Sequence, residues 1–341
     1  VELRATWSYP TKIRFGAGRI GELAEACGAA VIRRPLFVTD RGLAGLPITT
    51  ATLGLLEEHG FGRAMFSDVD QNPNERNLEA GLAAWREGGH DGVVAFGGGS
   101  ALDLGKAIAF MAGQTRPVWD FEDVGDWWTR ADAEAVAPII AVPTTAGTGS
   151  EVGRAAVLTN SSTHEKKIIF HPRMLPAEVT GMDAFAHCLE AYCSPHFHPM
   201  SHGIALEGMR LVLMNLPRAY RDGADLEARA KMMAAGAMGA VAFQKGLGAI
   251  HALSHPLGAV YGLHHGTLNA VVMPAVLRLN RPAVEDKLRR AAAYLDVGTT
   301  FEDFFGAAMR LRVEVAIPAT LSAMGLTAEG LDRLVPMALA D

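Results

Sequence analysis

The sequence predicts an α/β amino-terminal domain built on a parallel sheet, followed by an all-α carboxy-terminal domain. Three observations carry this expectation. Short β-branched runs alternate with longer helical patterns up to about residue 155, the order that places parallel strands beneath covering helices. After a strand at 166–170, Ala, Leu, Met and His dominate and β-branched clusters become scarce. The later segments then keep apolar residues at three and four spacing over ten or more positions, which is helical periodicity. At 341 residues the chain is long for a single core, so the expected division is 1–160 for the α/β domain and 161–341 for the helical domain.

In chain order, PLFVTD (35–40), GVVAFG (92–97) and PIIAVP (138–143) are the strands of the sheet. Between them, ATLGLLEEHG and NLEAGLAAWREGG read as amphipathic helices closed by glycine. In the second half, DAFAHCLEAY, MSHGIALEGMRLVLMNL, EARAKMMAAGAMGAVAF and AIHALSHPLGAVY are the expected helices. No Ser-rich or Pro-rich linker separates the halves, so close packing with a ligand cleft between them is the default expectation.

Composition narrows the function. The net charge is −6 and no run of five basic residues occurs, so the electrostatic footprint of a phosphate-backbone binder is missing and nucleic acid is excluded as a partner. Cys27, Cys188 and Cys193 form neither an even disulfide framework nor a CxxC pair, which fits a reducing, cytoplasmic setting. Arg4, Lys12 and Arg14 interrupt any leader-like apolar run, and no uncharged stretch is long enough to span a bilayer. Neither a signal peptide nor membrane insertion is expected.

Strand GVVAF runs into Gly97-Gly98-Gly99-Ser100 and then a helical segment, so backbone N–H groups at a helix start are open to a phosphate. Any tight βα turn also uses glycine, and one such loop decides little. A second loop, Thr144-Thr145-Ala146-Gly147-Thr148-Gly149-Ser150, leaves strand PIIAVP at the same end of the sheet, and two adjacent polar loops form one crevice. Asp40, closing PLFVTD, reads either as an acceptor for a ribose hydroxyl that repels a 2′-phosphate or as an ordinary helix N-cap. The acid precedes a GGGS loop instead of following GxGxxG, so the sheet is Rossmann-like in logic without the standard fingerprint.

Eight of the 12 histidines lie between His187 and His265. Asp183 and His187 stand four apart, as do His251 and His255, and His264-His265-Gly266 follows. Residues so spaced share one helix face. One such pair is ordinary, but a carboxylate and several imidazoles from two helices suit a borderline divalent ion, Fe²⁺ or Zn²⁺. His196, His198 and His202 sit among Pro195 and Pro199 and read as a loop at the rim.

Together, GGGSALDLGKAIA, PTTAGTGSEVG, TGMDAFAHCLEAY and HALSHPLGAVYGLHHG resemble the iron-containing (group III) alcohol dehydrogenase family, from about residue 15 to beyond 280. The resemblance implies the two-domain fold shared with dehydroquinate synthase, a nicotinamide cofactor (NAD, with NADP as the alternative) and a homodimer or larger homo-oligomer. It implies hydride transfer between that cofactor and a small alcohol or aldehyde, with a metal ion as Lewis acid. The implied metal ligands are Asp183, His187, His251 and His265, and the implied cofactor residues are Asp40, Gly97, Gly98, Ser100, Thr144 and Thr145, with Asp103 and Lys166 as weaker carry-overs. His255 falls on a non-ligand position, suited either to proton relay or to orienting a ligand.

The alternatives are a dehydroquinate synthase-type lyase, a maleylacetate reductase-like enzyme, and a cofactor-binding protein without catalysis. The lyase needs a basic phosphate cluster, and Arg210, Arg218 and Lys245 are too dispersed to form one; the reductase departs from the ligand set retained here. Two departures from the family pattern remain. Only Ala177–Val179 separates Leu175-Pro176 from Thr180-Gly181, and the chain ends at MALAD where the family continues. Residues missing from the given chain are the expected reason.

Overall fold

The computed structural model describes residues 12–145, 148–176, 184–327 and 331–340. The chain divides into two compact units, one spanning Pro10–Gly181 and the other including Met182–Asp341.

In the first unit, β1 (Pro35–Val38), β2 (Met65–Phe66), β3 (Gly92–Gly97) and β4 (Ile139–Pro143) form a parallel sheet in the order β2-β1-β3-β4. Leu36 pairs with Val93, and Val93 with Ile139. Every residue of β1 and β3 is buried, which explains why both read as continuous apolar runs and not as alternating ones. Helix α1 (Leu23–Ala29) precedes the sheet, and α2 (Arg41–Ala44), α3 (Pro47–Glu58), α4 (Glu75–Gly88) and α5 (Gly99–Met111) connect the strands. Phe37, Phe96, Leu53, Leu56 and Ile140 share one core. β1 ends two residues earlier than its apolar pattern suggests, because Asp40 turns the chain as the N-cap of α2.

An antiparallel hairpin, β5 (Ala155–Asn160) and β6 (Glu165–Phe170), completes this unit. The two units therefore divide at 181/182 and not at 160/161, since a boundary at 160 would sever β5 from β6. The hairpin's first strand and the two-residue edge strand β2 are additions to the elements expected from sequence.

The second unit is helical: α6 (Ala184–Cys193), α7 (Pro199–Arg221), α8 (Leu226–Ala242), α9 (Ala249–Tyr261), α10 (His265–Tyr294), α11 (Phe301–Glu314) and α12 (Leu334–Ala340). Among these, α6 is buried along almost its whole length. A Cβ on Gly208 of α7 would come within 2.4 Å of Cys188 Sγ, so the absence of a side chain there lets α7 pack closely on α6. Lys245 and Lys287 close the carboxy-terminal end of α6. Lys245 Nζ donates to the carbonyls of Ala191 and Ser194, and Lys287 Nζ to those of Cys193 and Ser194. Two ammonium groups there satisfy terminal carbonyls and oppose the negative end of the helix dipole.

Pro199 occupies the first turn of α7, where its missing N–H costs nothing. His202 is consequently helical, correcting the loop reading of 193–203, while His198 is the N-cap whose Nδ1 accepts from Ser201 N–H at 3.2 Å. All three cysteines are free thiols, and burial pushes Cys193 up to about 12. Among the described residues no helix is long and apolar enough to cross a membrane.

Candidate functional site

At the carboxy-terminal ends of β1, β3 and β4 the first unit gathers six of the residues singled out for the cofactor. Gly97 ends β3 at φ +150°, and a Cβ there would meet Ala101 Cβ at 2.8 Å, so only glycine makes this turn without strain. Its carbonyl accepts from Thr144 N–H at 3.0 Å, which joins the two polar loops. The Thr145 hydroxyl lies 3.4 Å from the position of a Cβ on Gly98. Helix α5 then begins with Gly98 as N-cap and no side-chain cap, so its first N–H groups stand at the positive end of a 13-residue helix. Ser100 Oγ donates to the Gln71 carbonyl at 2.5 Å, which fixes the loop after β2 against this helix start.

Asp40 fulfils the N-cap reading: its Oδ1 accepts from Leu43 N–H at 3.0 Å. Its Oδ2 faces the glycine turn, 3.4 Å from where a Cβ on Gly97 would lie. One carboxylate oxygen is thus structural while the other is directed at the loop end of the sheet.

One turn into α5, Asp103 accepts from the Ser150 hydroxyl and pairs with Lys106 at 3.2 Å. Lys106 is only 1% exposed and donates to the carbonyls of Ser150 and Ala155. Burial lowers its pKa, opposed by the charge of Asp103. Burial likewise lowers Lys166 on β6, and Asp103 again opposes it, so Asp103 faces both lysines. Lys106 was absent from the sequence-derived set. Its Asp103 partner one turn away was visible in LDLGK, but its burial depends on carbonyls more than forty residues on.

In the second unit α6, α9 and the start of α10 bring four imidazoles together. The His187 and His251 rings stack at 4.7 Å and 11°. His265 lies 5.3 Å from His251, and His255 lies 5.7 Å from His251 and 5.3 Å from His265. Two further residues organise them. Glu190, one turn after His187, accepts from Ile250 N–H at 2.7 Å and from His251 Nδ1 at 2.6 Å. It therefore caps α9 from a neighbouring helix while holding the proton on one nitrogen of His251. Burial pushes the Glu190 carboxyl upward, and backbone N–H groups of Ile250, Gly248 and His251 oppose that shift. Asn269 Nδ2 lies 3.2 Å from His251 Nε2 and 3.2 Å from His265 Nε2. An amide nitrogen can only donate, so both Nε2 atoms are acceptors.

The remaining bonds agree with that proton arrangement. His265 Nδ1 lies 3.4 Å from Ser254 Oγ, which itself donates to the His251 carbonyl. Two neutral imidazoles thus keep their Nδ1–H engaged and turn both Nε2 lone pairs toward the Asn269 amide nitrogen, while the buried Asn269 Oδ1 has no hydrogen-bond partner among the described residues; unprotonated Nε2 is the state a divalent metal requires of a ligand. In kind and protonation state these donors fit such an ion. Among the described residues, no group of three or more His, Cys, Asp or Glu is placed to hold a metal ion. His187 stacks on His251, and Asp183 lies outside the described residues. His264 is the N-cap of α10, with Nδ1 toward Thr267, which leaves His265 as the member of that pair near the other rings. His202 is instead engaged with Lys245 Nζ at 2.8 Å. Glu190 and Asn269 were both readable as partners, at i+3 from His187 and i+4 from His265, once the histidines are placed on helices.

The basic residues weighed for a phosphate cluster are occupied elsewhere. Arg210 pairs with Glu207, Arg218 with Asp225 and Glu227, and Lys245 with the end of α6.

Comparison with known proteins finds matches to both halves of the chain. Residues 10–180 match the family described as iron-containing alcohol dehydrogenase, and residues 178–341 match the carboxy-terminal part of the Fe-containing alcohol dehydrogenase family. A 4-hydroxybutyrate dehydrogenase of Cupriavidus necator is 40% identical over 363 aligned positions, covering 98% of this chain and 93% of that protein. That alignment is longer than the 341-residue chain, so gaps fall in this sequence relative to its relative. A 1,3-propanediol dehydrogenase of Klebsiella pneumoniae is 33% identical, covering 96% of this chain and 90% of that protein. Among solved structures, a 1,3-propanediol oxidoreductase superposes with a TM-score of 0.92 at 32% identity, covering 99% of this chain and 94% of the other. A sulfoacetaldehyde reductase of Bifidobacterium kashiwanohense in complex with NAD⁺ gives 0.86 at 26% identity, covering 99% and 93%. With both halves of the chain matched and relatives above 30% identity along nearly its full length, this chain belongs to the iron-containing alcohol dehydrogenase family.

Proposed function

We propose that this chain is an NAD-linked, divalent-metal-dependent oxidoreductase that interconverts a small alcohol and its aldehyde or ketone. The observation that carries the reading is that His251 and His265 direct unprotonated Nε2 atoms to one place, now taken by the Asn269 amide nitrogen, with Glu190 and Ser254 engaging the opposite ring nitrogens. Asp183, His187, His251 and His265 are the residues that would hold the ion, Fe²⁺ with Zn²⁺ as the alternative that the same donors accept. When bound, such an ion supplies Lewis acidity toward a substrate oxygen, and a nicotinamide exchanges hydride with the substrate carbon. Glu190 keeps the proton on His251 Nδ1, so that Nε2 remains a donor. His255, half-buried and one turn beyond His251, carries the proton between the substrate hydroxyl and water.

In the first unit, the N–H groups at the start of α5 bind the pyrophosphate of the dinucleotide. Thr144 and Thr145 flank it, and Asp40 Oδ2 accepts from an adenosine ribose hydroxyl. Family membership supports alcohol oxidoreductase chemistry. Relatives named for 4-hydroxybutyrate and 1,3-propanediol support a short hydroxylated substrate. A lyase reaction on a phosphorylated substrate is disfavoured because Arg210, Arg218 and Lys245 are engaged away from the histidines. The test is single substitution of His251 and of His265 by Ala. NADH-dependent reduction of short aldehydes should vanish while NADH binding persists; turnover retained in both variants refutes the proposal.

A further inference from the structure

We infer that Asp68 and Asp70 set the choice between NAD and NADP by occupying the two arginines that would otherwise bind a 2′-phosphate. This rests on the proposed dinucleotide site at the glycine-loop end of the sheet. Arg41 follows Asp40 directly as the first residue of α2, and Thr39 N–H donates to the Phe66 carbonyl at 3.0 Å, so the loop leaving β2 runs beside the end of β1. That loop is anchored on three sides: Asn77 Nδ2 donates to the Asp68 carbonyl at 2.9 Å, Asn74 caps α4, and Ser100 binds the Gln71 carbonyl.

Within it two carboxylates and two guanidiniums form a closed set. Asp68 pairs with Arg41 and, at 3.3 Å, with Arg76; Asp70 pairs with Arg41 at 3.1 Å and with Arg76 at 2.5 Å. Each carboxylate bridges both arginines, so both terminal nitrogens of each guanidinium are engaged. Exposed pairs of this kind add little stability. Their consequence here lies in what the donors are free to do.

A 2′-phosphate on the ribose adds negative charge next to the position assigned to Asp40, and an arginine near that acid is what accommodates it in dinucleotide folds. Arg41 is adjacent to Asp40 and 61% exposed at its side chain, so it has the reach and the room. Its charge is cancelled by Asp68 and Asp70, and Asp40 remains as the unbalanced negative group. NADP then meets repulsion with no free guanidinium, whereas NAD needs neither arginine. Removal of the two carboxylates turns the local balance from one net negative charge to one net positive charge and releases both forks.

The experiment measures NADH and NADPH dissociation constants, by nucleotide fluorescence, for the wild-type protein, for Asp68→Asn/Asp70→Asn, and for that double variant carrying Arg41→Gln and Arg76→Gln as well. The wild-type protein is expected to prefer NADH. The double variant should move the affinity ratio toward NADPH by about tenfold or more, and the added arginine substitutions should abolish the gain. Should the double variant not fold, each single Asp→Asn variant leaves one carboxylate bridging both arginines and should give a smaller shift in the same direction. A wild-type preference for NADPH, an unchanged ratio in the Asp variants, or a gain that survives loss of both arginines overturns the inference. Binding of neither nucleotide by the wild-type protein overturns the dinucleotide site itself, a result distinct from NADH binding with an unshifted ratio.

Discussion

Glu190→Gln separates the role of Glu190 as a helix cap from its role in setting the tautomer of His251. A glutamine has one acceptor oxygen. With that oxygen kept on Ile250 N–H, its amide N–H₂ faces Nδ1 of His251, and the imidazole must carry its proton on Nε2, where it no longer donates a lone pair to a cation. Loss of a residue that orients a metal ligand costs about 10–100-fold in metal affinity. With the amide turned the other way, two donors oppose each other at the start of α9, and a buried unsatisfied group costs about 1–3 kcal/mol of stability. The assay pairs chelator competition for metal affinity with urea unfolding and NADH titration on the same variant. A metal affinity that falls by one to two decades with NADH binding unchanged is the expected result; wild-type metal affinity together with wild-type stability refutes the assigned role.

Three other outcomes are expected. Gly97→Ala places a Cβ 2.8 Å from Ala101 Cβ at φ +150°, so urea titration should show a loss of about 1–3 kcal/mol and nucleotide titration a weakened cofactor site. His255→Ala should lower kcat by about a hundredfold or more while leaving metal content near the wild-type value, as expected for a proton carrier that is not a ligand; a loss of metal instead would make it a ligand-orienting residue. Burial and the charge of Lys287 pull Lys245 down to about 8, below its unfolded value of 10.5, so between these values the unfolded chain binds the proton that the native protein has released. Stability then rises with pH across that window relative to Lys245→Met, and parallel melting profiles of the two proteins from pH 7 to pH 10.5 would contradict the assignment.

What could be read from the sequence follows from how local the determinants are. The strand at Gly92–Gly97 and the helix at Ala249–Tyr261 agree with their sequence patterns at both ends, because continuous apolar residues, a glycine turn and a left-handed Gly262 mark them locally. The strand β2 has only two residues, and β5 is half-buried and recognisable chiefly through its pairing with β6, so neither carries a strong pattern of its own. The extension of α7 through Pro217 to Arg221 was likewise hidden, because a proline within a pattern reads as its end.

The same division holds in the sites. Helical spacing was enough to single out the pairs Asp183/His187 and His251/His255, and the choice of His251 over His255 and of His265 over His264 as ligands came from the family resemblance. Glu190 in AHCLEAY and Asn269 after HHGTL present ordinary polar residues whose importance depends on burial against another helix. Lys106 shows the limit most clearly: a lysine on a mostly apolar helix looks misplaced until the carbonyls of Ser150 and Ala155 are brought to it. The pairing of Asp68 and Asp70 with Arg41 is also a product of the fold, since β1 and β2 must lie side by side before those loops meet.

The most direct measurement is the metal content of the purified protein before and after chelation, read alongside NADH-linked reduction of short aldehydes and after return of Fe²⁺ or Zn²⁺. Bound metal near one ion per chain, activity that disappears with it and recovers on its return, and NADH binding that persists throughout are the results expected. Undiminished turnover in the metal-free protein would contradict the proposed function.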